Sequence, residues 1–412
     1  MKRRQFLKAL TAGGMGAVST GLLGLNASLA QAAEGKSLVV IFQRGGCDGL
    51  NMVVPHGEDE YYNLRRSISI RRNEVLDLDG FFGLHPSLSG LLPIFMNGNL
   101  ALLPTTQYNN SSHSHFDGER FIESGVAQEI SDGWLNRHLS NSTFNSGLRA
   151  VSFSGSLDQS LRGPYSVSTF GSLADFEFSL SGAEEQALFD RLLAMYQQTP
   201  SPNTFYRHLV HNSGQIMLNS LAAINNIDFA NYAPENGANY PSSTFGRQLA
   251  QTAQLLKQPL PPEIISLNIG GWDTHSDQGG AQGRQATQFQ QLGGGIEALY
   301  TDLGGFNGGG LMDDVVILTT TEFGRTAKQN GSNGTDHGDA SNWMVISNSV
   351  QGGIYGTWPG LLTSQLADGR YLLYTVDYRN IYADILRNHL GNNTLMDTLL
   401  PGWTHQPLGL FG

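Results

Sequence analysis

A chain of 412 residues with 24 basic and 35 acidic side chains, 51 glycines and one cysteine is long enough to bury a full core, as one large domain with an insertion or as two joined lobes. The net charge of −11 argues against a nucleic-acid partner, which needs a basic face. The lone Cys47 excludes an intrachain disulfide, so the core alone must hold the fold in an oxidising compartment. Glycine stands well above its average share of roughly 7% without Pro or Ser tracts, and this predicts many tight loops around a sheet.

In chain order, the first segment is Met1-Lys-Arg-Arg-Gln-Phe-Leu-Lys8, which resembles the consensus of twin-arginine export signals. An uncharged Gly/Ala-rich stretch over residues 9–29 follows, and Ala30-Gln31-Ala32 offers a small-x-small cleavage pattern, so residues 1–32 read as a signal peptide cut after Ala32. The alternative is an uncleaved anchor, since the stretch is long enough to span a bilayer; Gly13, Gly14, Gly16, Gly21 and Gly24 make it only weakly apolar. Cleavage removes four basic residues and no acid, leaving 20 basic against 35 acidic side chains. The expectation is a protein of the periplasm or the exterior, delivered by the twin-arginine machinery, with no stable membrane span after cleavage.

Residues 37–43 form a short β-branched apolar run ending in Arg44-Gly45-Gly46, the pattern of a buried strand feeding a loop. Residues 100–103, 264–269, 315–319 and 343–346 repeat it. Between them Ala286, Phe289, Leu292, Ile296, Leu299 and Leu303 recur at helical spacing, and Trp134, Leu135 and Leu139 predict a helix packed on the core. Alternating strands and helices predict an α/β fold with a parallel-rich sheet covered on both faces, its ligands beyond the carboxyl ends of the strands. Residues 182–257 carry three helical runs, including Phe205, Leu209, Ile216, Leu221 and Ile224, and Ser243 or Thr244 is a candidate cap for the last. They read either as a helical insertion or as helices covering the sheet.

The polar residues that stand out follow the predicted strands. They are Asp48; His113, Ser114, His115 and Asp117; Asp273, His275 and Asp277; Glu322 and Arg325; and then Asp336 and His337. Strand ends on one edge bring such residues together, and carboxylates and imidazoles in one cleft call for a divalent cation: Zn or Mn for a mixed set, Mg or Ca where oxygen dominates. Each piece has a plainer reading: Asp48 as a turn former, Asp273 to His275 as an Asx turn, Glu322 with Arg325 as a structural ion pair. Cys47 reads as a small buried hydrophobe and not as a nucleophile.

The twin-arginine start, Arg44-Gly-Gly-Cys-Asp-Gly-Leu-Asn51, Leu84-His85-Pro86, Ser114-His115-Phe116, Gly271-Trp-Asp-Thr-His275, Thr321-Glu-Phe-Gly-Arg325 and Gly334-Thr-Asp-His-Gly338 together resemble the exported bacterial family catalogued as domain of unknown function 1501, grouped with the alkaline phosphatase and sulfatase superfamily. The resemblance covers nearly the whole mature chain. It implies a doubly wound, mostly parallel sheet with divalent metal at the strand ends. It also implies metal-ligand roles for Asp48, Asp273, His275, Glu322 and His337, with Ser114 at the nucleophile position and His115 beside it. Glu322 stands where the superfamily has an Asp-His pair, but the next residue is Phe323, so one imidazole ligand is missing, and the spacing of Asp273 and His275 is short. A single metal, a metal other than zinc, or a scaffold without chemistry all remain open.

The leading expectation is an exported metal-dependent hydrolase of phosphate or sulfate esters, with Arg325 holding the anionic group and helix N-terminal amides near Ser114 stabilising developing charge. The rival is an exported, non-catalytic binding or assembly protein on the same fold. An exported protein partner is implied by the resemblance alone.

Overall fold

The computed structural model describes residues 30–31, 35–126, 130–144, 148–172, 182–197, 205–224, 227 and 231–412. The twin-arginine pair and the apolar run through residue 29 lie outside them, as do the side chains of Phe205, Leu209 and Leu221. Ala30–Gln31 pairs in parallel with Ser142–Thr143.

Strand β1 (Ser37–Gln43) is buried along its whole length, as a strand covered on both faces must be, and this explains its unbroken apolar run. It is central in a nine-stranded sheet with β2 (Leu100–Gln107), β3 (Ala150–Phe153), β4 (Ser168–Thr169), β5 (Ile264–Ile269), β6 (Val315–Thr320), β7 (Ser341–Ile346), β8 (Gly353–Ile354) and β9 (Val376–Asp377). The order is β8, β2, β7, β6, β1, β5, β3, β4, with β9 also paired to β2. Every pairing in it is parallel except the two made by β7, which runs antiparallel to β6 and β2. The residues leading into β7 therefore share an edge with the residues leaving β1, β2, β5 and β6.

The described helices include α1 (His115–Ser124), α2 (Trp134–Ser140), α3 (Gly182–Gln197), α4 (Phe205–Ile224), α5 (Thr244–Leu256), α6 (Arg284–Asp302) and α7 (Tyr378–Asp384), the last continuing as a π turn over Ile385–His389. Alternation along β1 separates two cores. Val39 and Ile41 pack with Phe245 and Leu249 of α5 and with Phe289, Leu292, Ile296 and Leu299 of α6. Leu38, Val40 and Phe42 face Trp134, Leu135 and Leu139 of α2 and Ile381 and Tyr382 of α7. Ser243 caps α5, its side chain accepting from the Gly246 amide at 3.1 Å. Of the three helical runs in residues 182–257, α5 thus belongs to the covering layer. By contrast, α4 meets the sheet's edge strand β4 through a Ser168–Ser220 hydrogen bond of 3.0 Å. Among the described residues no helix is long and apolar enough to cross a membrane.

Candidate metal centre

The carboxyl edge is assembled from four loops. After β1, Gly45 takes φ +121°, and a Cβ there would lie 2.7 Å from the Asp273 amide nitrogen; only glycine lets this loop lie against the backbone after β5. Trp272 is fully buried with its indole N–H on the Ile269 carbonyl at 2.9 Å, which anchors that backbone and turns Asp273 outward. After β6, the Thr321 hydroxyl donates to the Gln43 carbonyl at 2.8 Å. The chain then doubles back, with Arg325 and His337 paired as an isolated antiparallel bridge and the Gly338 amide donating to the Gly324 carbonyl at 2.9 Å. His115 opens α1, beyond the end of β2.

Three imidazoles meet one carboxylate here. Nε2 of His275 and of His337 lie 2.9 and 3.1 Å from Asp273 Oδ1, and 3.1 Å from each other. His115 Nε2 is 3.5 Å from Asp273 Oδ2. Ligand atoms of His115, Asp273 and His337 all fall within 4.8 Å of one another. The opposite nitrogen of each ring is tied down: His115 Nδ1 to Glu322 Oε1 at 2.7 Å, His337 Nδ1 to the His113 carbonyl at 2.7 Å, and His275 Nδ1 to Asp336 Oδ1 at 3.2 Å. Each Nδ1 faces an acceptor, so in the neutral ring with its proton there Nε2 presents a lone pair, whereas a protonated ring donates from Nε2 to the Asp273 carboxylate as well. Lone pairs and a carboxylate turned on one spot repel until a cation accepts them. Tetrahedral ligands about 2.0–2.1 Å from zinc sit ~3.3 Å apart; the His337–Asp273 and His115–Asp273 contacts of 3.1 and 3.5 Å lie near that edge, while the three-residue set as a whole falls within 4.8 Å. The donor set of His115, Asp273 and His337, with His275 adjoining, is one that could hold a divalent cation.

The electrostatics differ from ring to ring. The hydrogen bond to Glu322 raises the pKa of His115 above its ordinary value, over the opposing effect of burial. Burial lowers that of His337. Burial pushes Asp273 upward, but the hydrogen bond and charge of Arg325, helped by His275 and His337, leave it below the usual carboxylate range.

Asp48, Arg325, Glu322 and His115 stand otherwise than expected from the sequence, His115 among the ligand atoms themselves. Asp48 does not join the cluster; it is fully buried with Oδ2 on Arg65 Nη1 at 2.5 Å and on the Gln278 amide at 2.7 Å. A buried guanidinium already supplies the positive charge that Asp48 needs. Arg325, expected to hold an anionic ligand, is 1% exposed. Its donors go to Asp273 Oδ1 at 2.7 Å, Thr335 Oγ1 at 3.1 Å, the Gly45 carbonyl at 3.3 Å and the Thr335 carbonyl, so it fixes the Asp273 carboxylate from behind.

Glu322 lies one layer behind the cluster, fully buried, accepting from the Gly45 amide at 2.8 Å and from His115. Ser114 is exposed at the N-cap of α1, and its side chain caps no amide. Sequence reasoning gave no role to Asp336, the His113 carbonyl or Thr335. Asp336 was visible beside His337, but a backbone carbonyl has no sequence signal.

No curated protein sequence matches the chain. Among solved structures it is similar to Ps i-CgsB in complex with k-i-k-neocarrahexaose, at 11% identity over 89% of this chain and 74% of that one with a TM-score of 0.40. It is also similar to the zinc complex of the C-terminal periplasmic domain of EcEptC from Escherichia coli, at 9% identity over 77% and 76% with a TM-score of 0.36. The phosphonate monoester hydrolase of Agrobacterium radiobacter is similar at 10% identity over 90% and 79%, with a TM-score of 0.37. The model of the family described as a protein of unknown function, DUF1501, matches residues 105–396, and the chain belongs to that family.

Proposed function

We propose that this chain is an exported hydrolase of phosphate or sulfate esters that works with one divalent cation. The observation that carries the reading is the convergence of three Nε2 atoms on the Asp273 carboxylate with every Nδ1 anchored. A divalent cation bound there supplies Lewis acidity toward the ester oxygens and the attacking oxygen. The chain's own groups do the rest. Glu322 holds the His115 ring and its tautomer, and Arg325 keeps the Asp273 carboxylate ionised and aimed. Ser114, exposed and adjoining His115, is the candidate nucleophile. The cluster is open to solvent, with Asp273 and His275 exposed, as access for an ester requires.

The test is metal analysis of protein purified from an export-competent host, followed by assay of aryl phosphates and sulfates with several metals. Expected are one ion per chain, turnover, and loss of that turnover in Ser114→Ala with metal content retained. Metal-replete protein that turns over nothing in the panel sinks the hydrolase and favours a binding or assembly protein. Full activity in Ser114→Ala hands the attack to water. Export by the twin-arginine route predicts that the variant with Lys at positions 3 and 4 accumulates as precursor in the cytoplasm; undiminished secretion points to the general route.

A further inference from the structure

Arg325, expected to meet an anionic ligand, is buried against Asp273. Three exposed cations stand to one side of the cluster instead: Arg66, Lys328 and Arg370. Among the described residues none of the three makes an ion pair with a carboxylate. In a chain with 24 basic against 35 acidic side chains that is unusual company, since Arg44, Arg65, Arg72, Arg149, Lys257 and Arg379 are all paired.

The backbone gathers them. The Ala327 amide donates to the Arg370 carbonyl at 3.0 Å, which keeps the Cα atoms of Lys328 and Arg370 within ~10 Å of each other. On the other flank the Gln329 amide donates to the Leu64 carbonyl at 3.1 Å, and Gln329 Oε1 accepts from the Ser67 amide at 2.8 Å. Arg66 lies in the stretch so clasped. The same stretch borders the cluster, because Asn330 Nδ2 donates to Asp336 Oδ1 at 3.1 Å and to the His275 carbonyl at 2.8 Å. The Arg370 guanidinium stands 5.4 Å from the centre of the Tyr371 ring, which packs at 4.5 Å on the ring of His113. One aromatic ring therefore separates this charge from the segment that carries Ser114 and His115. The nearby acids are engaged elsewhere, Asp336 with His275 and Asn330, and Asp339 with His113 Nε2 at 2.7 Å. Asp368, two residues before Arg370, is exposed and pairs with none of the three cations.

Unpaired guanidinium and ammonium groups select anions, and exposed charges act over about 8 Å at physiological ionic strength. An anion held at the cluster is set off from Arg370 by the Tyr371 and His113 rings, so a single anionic group does not serve both places. A ligand with anionic groups in series does.

We propose that Arg66, Lys328 and Arg370 form an anion-binding rim, and that the substrate is a polymer bearing sulfate or phosphate groups in series, one presented to the cluster while another meets the rim. The ester assignment rests on the hydrolase reading; polyanion binding by the rim does not.

The test is equilibrium binding of the mature full-length protein to labelled dextran sulfate, dextran phosphate, unmodified dextran and polyglutamate, at low and at high salt. Saturable, salt-weakened binding of dextran sulfate or dextran phosphate is expected, and the preference between them names the ester. It should weaken about tenfold in the double variant Lys328→Gln with Arg370→Gln, the loss of two exposed ion pairs. Lys36→Gln with Arg387→Gln removes the same charge at the opposite edge of the sheet and should bind as the parent does. Melting curves confirm that the variants fold; Arg66→Gln, expected to lose about threefold, carries the test if the double variant does not. Absence of saturable binding by both charged dextrans, equal binding of unmodified dextran or polyglutamate, or equal losses in rim and control variants overturns the proposal. Charged-dextran binding that depends on the rim, in protein with a blank ester assay, upholds the rim and sinks the hydrolase, whereas aryl ester turnover without such binding does the reverse.

Discussion

At the scale of single residues, the centre depends on groups that touch no ligand. Glu322 is buried, and its carboxylate holds both the Gly45 amide and His115 Nδ1. Glu322→Gln keeps the shape and one acceptor oxygen but removes the charge that makes His115 a strong donor. Metal affinity should fall about 10–100-fold, the usual cost of losing such a partner, with little change in melting temperature of the metal-free protein. Competition with a chromogenic chelator measures it, and unaltered affinity would remove Glu322 from the centre. The sequence showed Glu322 at the right strand end but not its layer, because ligand and support differ by a few ångströms of depth. Asp48 lies apart from the cluster for a related reason. Its partner Arg65 sits 17 residues away, in a stretch with no periodic signal, and a buried ion pair is a tertiary fact.

At the scale of elements, the five strands expected from apolar runs are present at β1, β2, β5, β6 and β7, because burial on both faces leaves a plain signature. Strand direction leaves none. That β7 runs antiparallel is what brings His337 to the same sheet edge as His115 and Asp273, and no feature of residues 341–346 announces it. The strands β3, β4, β8 and β9 escaped notice because they have two to four residues each. The opposite edge of β1 is fastened by the π turn after α7, where His389, 3% exposed, contacts the Ser37 carbonyl through Nε2 at 2.9 Å. Burial pushes the pKa of His389 down from 6.5 to about 4. Between these values the unfolded chain binds the proton and the folded chain does not, so this contribution is intact above the upper value and is lost as pH falls. Going from about pH 7 to about pH 4.5 should cost about 2–3 kcal/mol through this group. His389→Gln, which retains an N–H donor, should lose that much less over the same interval in urea unfolding. Equal losses in the two proteins would place the acid sensitivity elsewhere.

At the scale of the whole molecule, the ligand atoms come from distant parts of the chain: His115 at the start of α1, Asp273 and His275 after β5, and His337 before β7. They converge only because one sheet edge collects these ends, so the unfolded chain offers no comparable site and a bound cation stabilises the folded state alone. Each ion at 100 times its dissociation constant adds about 2.7 kcal/mol. Unfolding entropy scales with length, and for a chain of about 400 residues this corresponds to a rise of roughly 3 °C in melting temperature. The number of ions separates two arrangements. With Asp48 ion-paired to Arg65 through Oδ2 and Asp273 to Arg325, guanidinium charge already offsets both carboxylates, and only Asp48 Oδ1, buried without a hydrogen-bond partner, is left to a second ion. Protein treated with chelator and dialysed should melt a few degrees lower, recover with one equivalent of zinc or manganese, and gain nothing from a second. Recovery that needs two equivalents would mean that Asp48 leaves Arg65 for a metal. No shift at all, with no ion retained on dialysis, would mean that the imidazole cluster holds itself together without one.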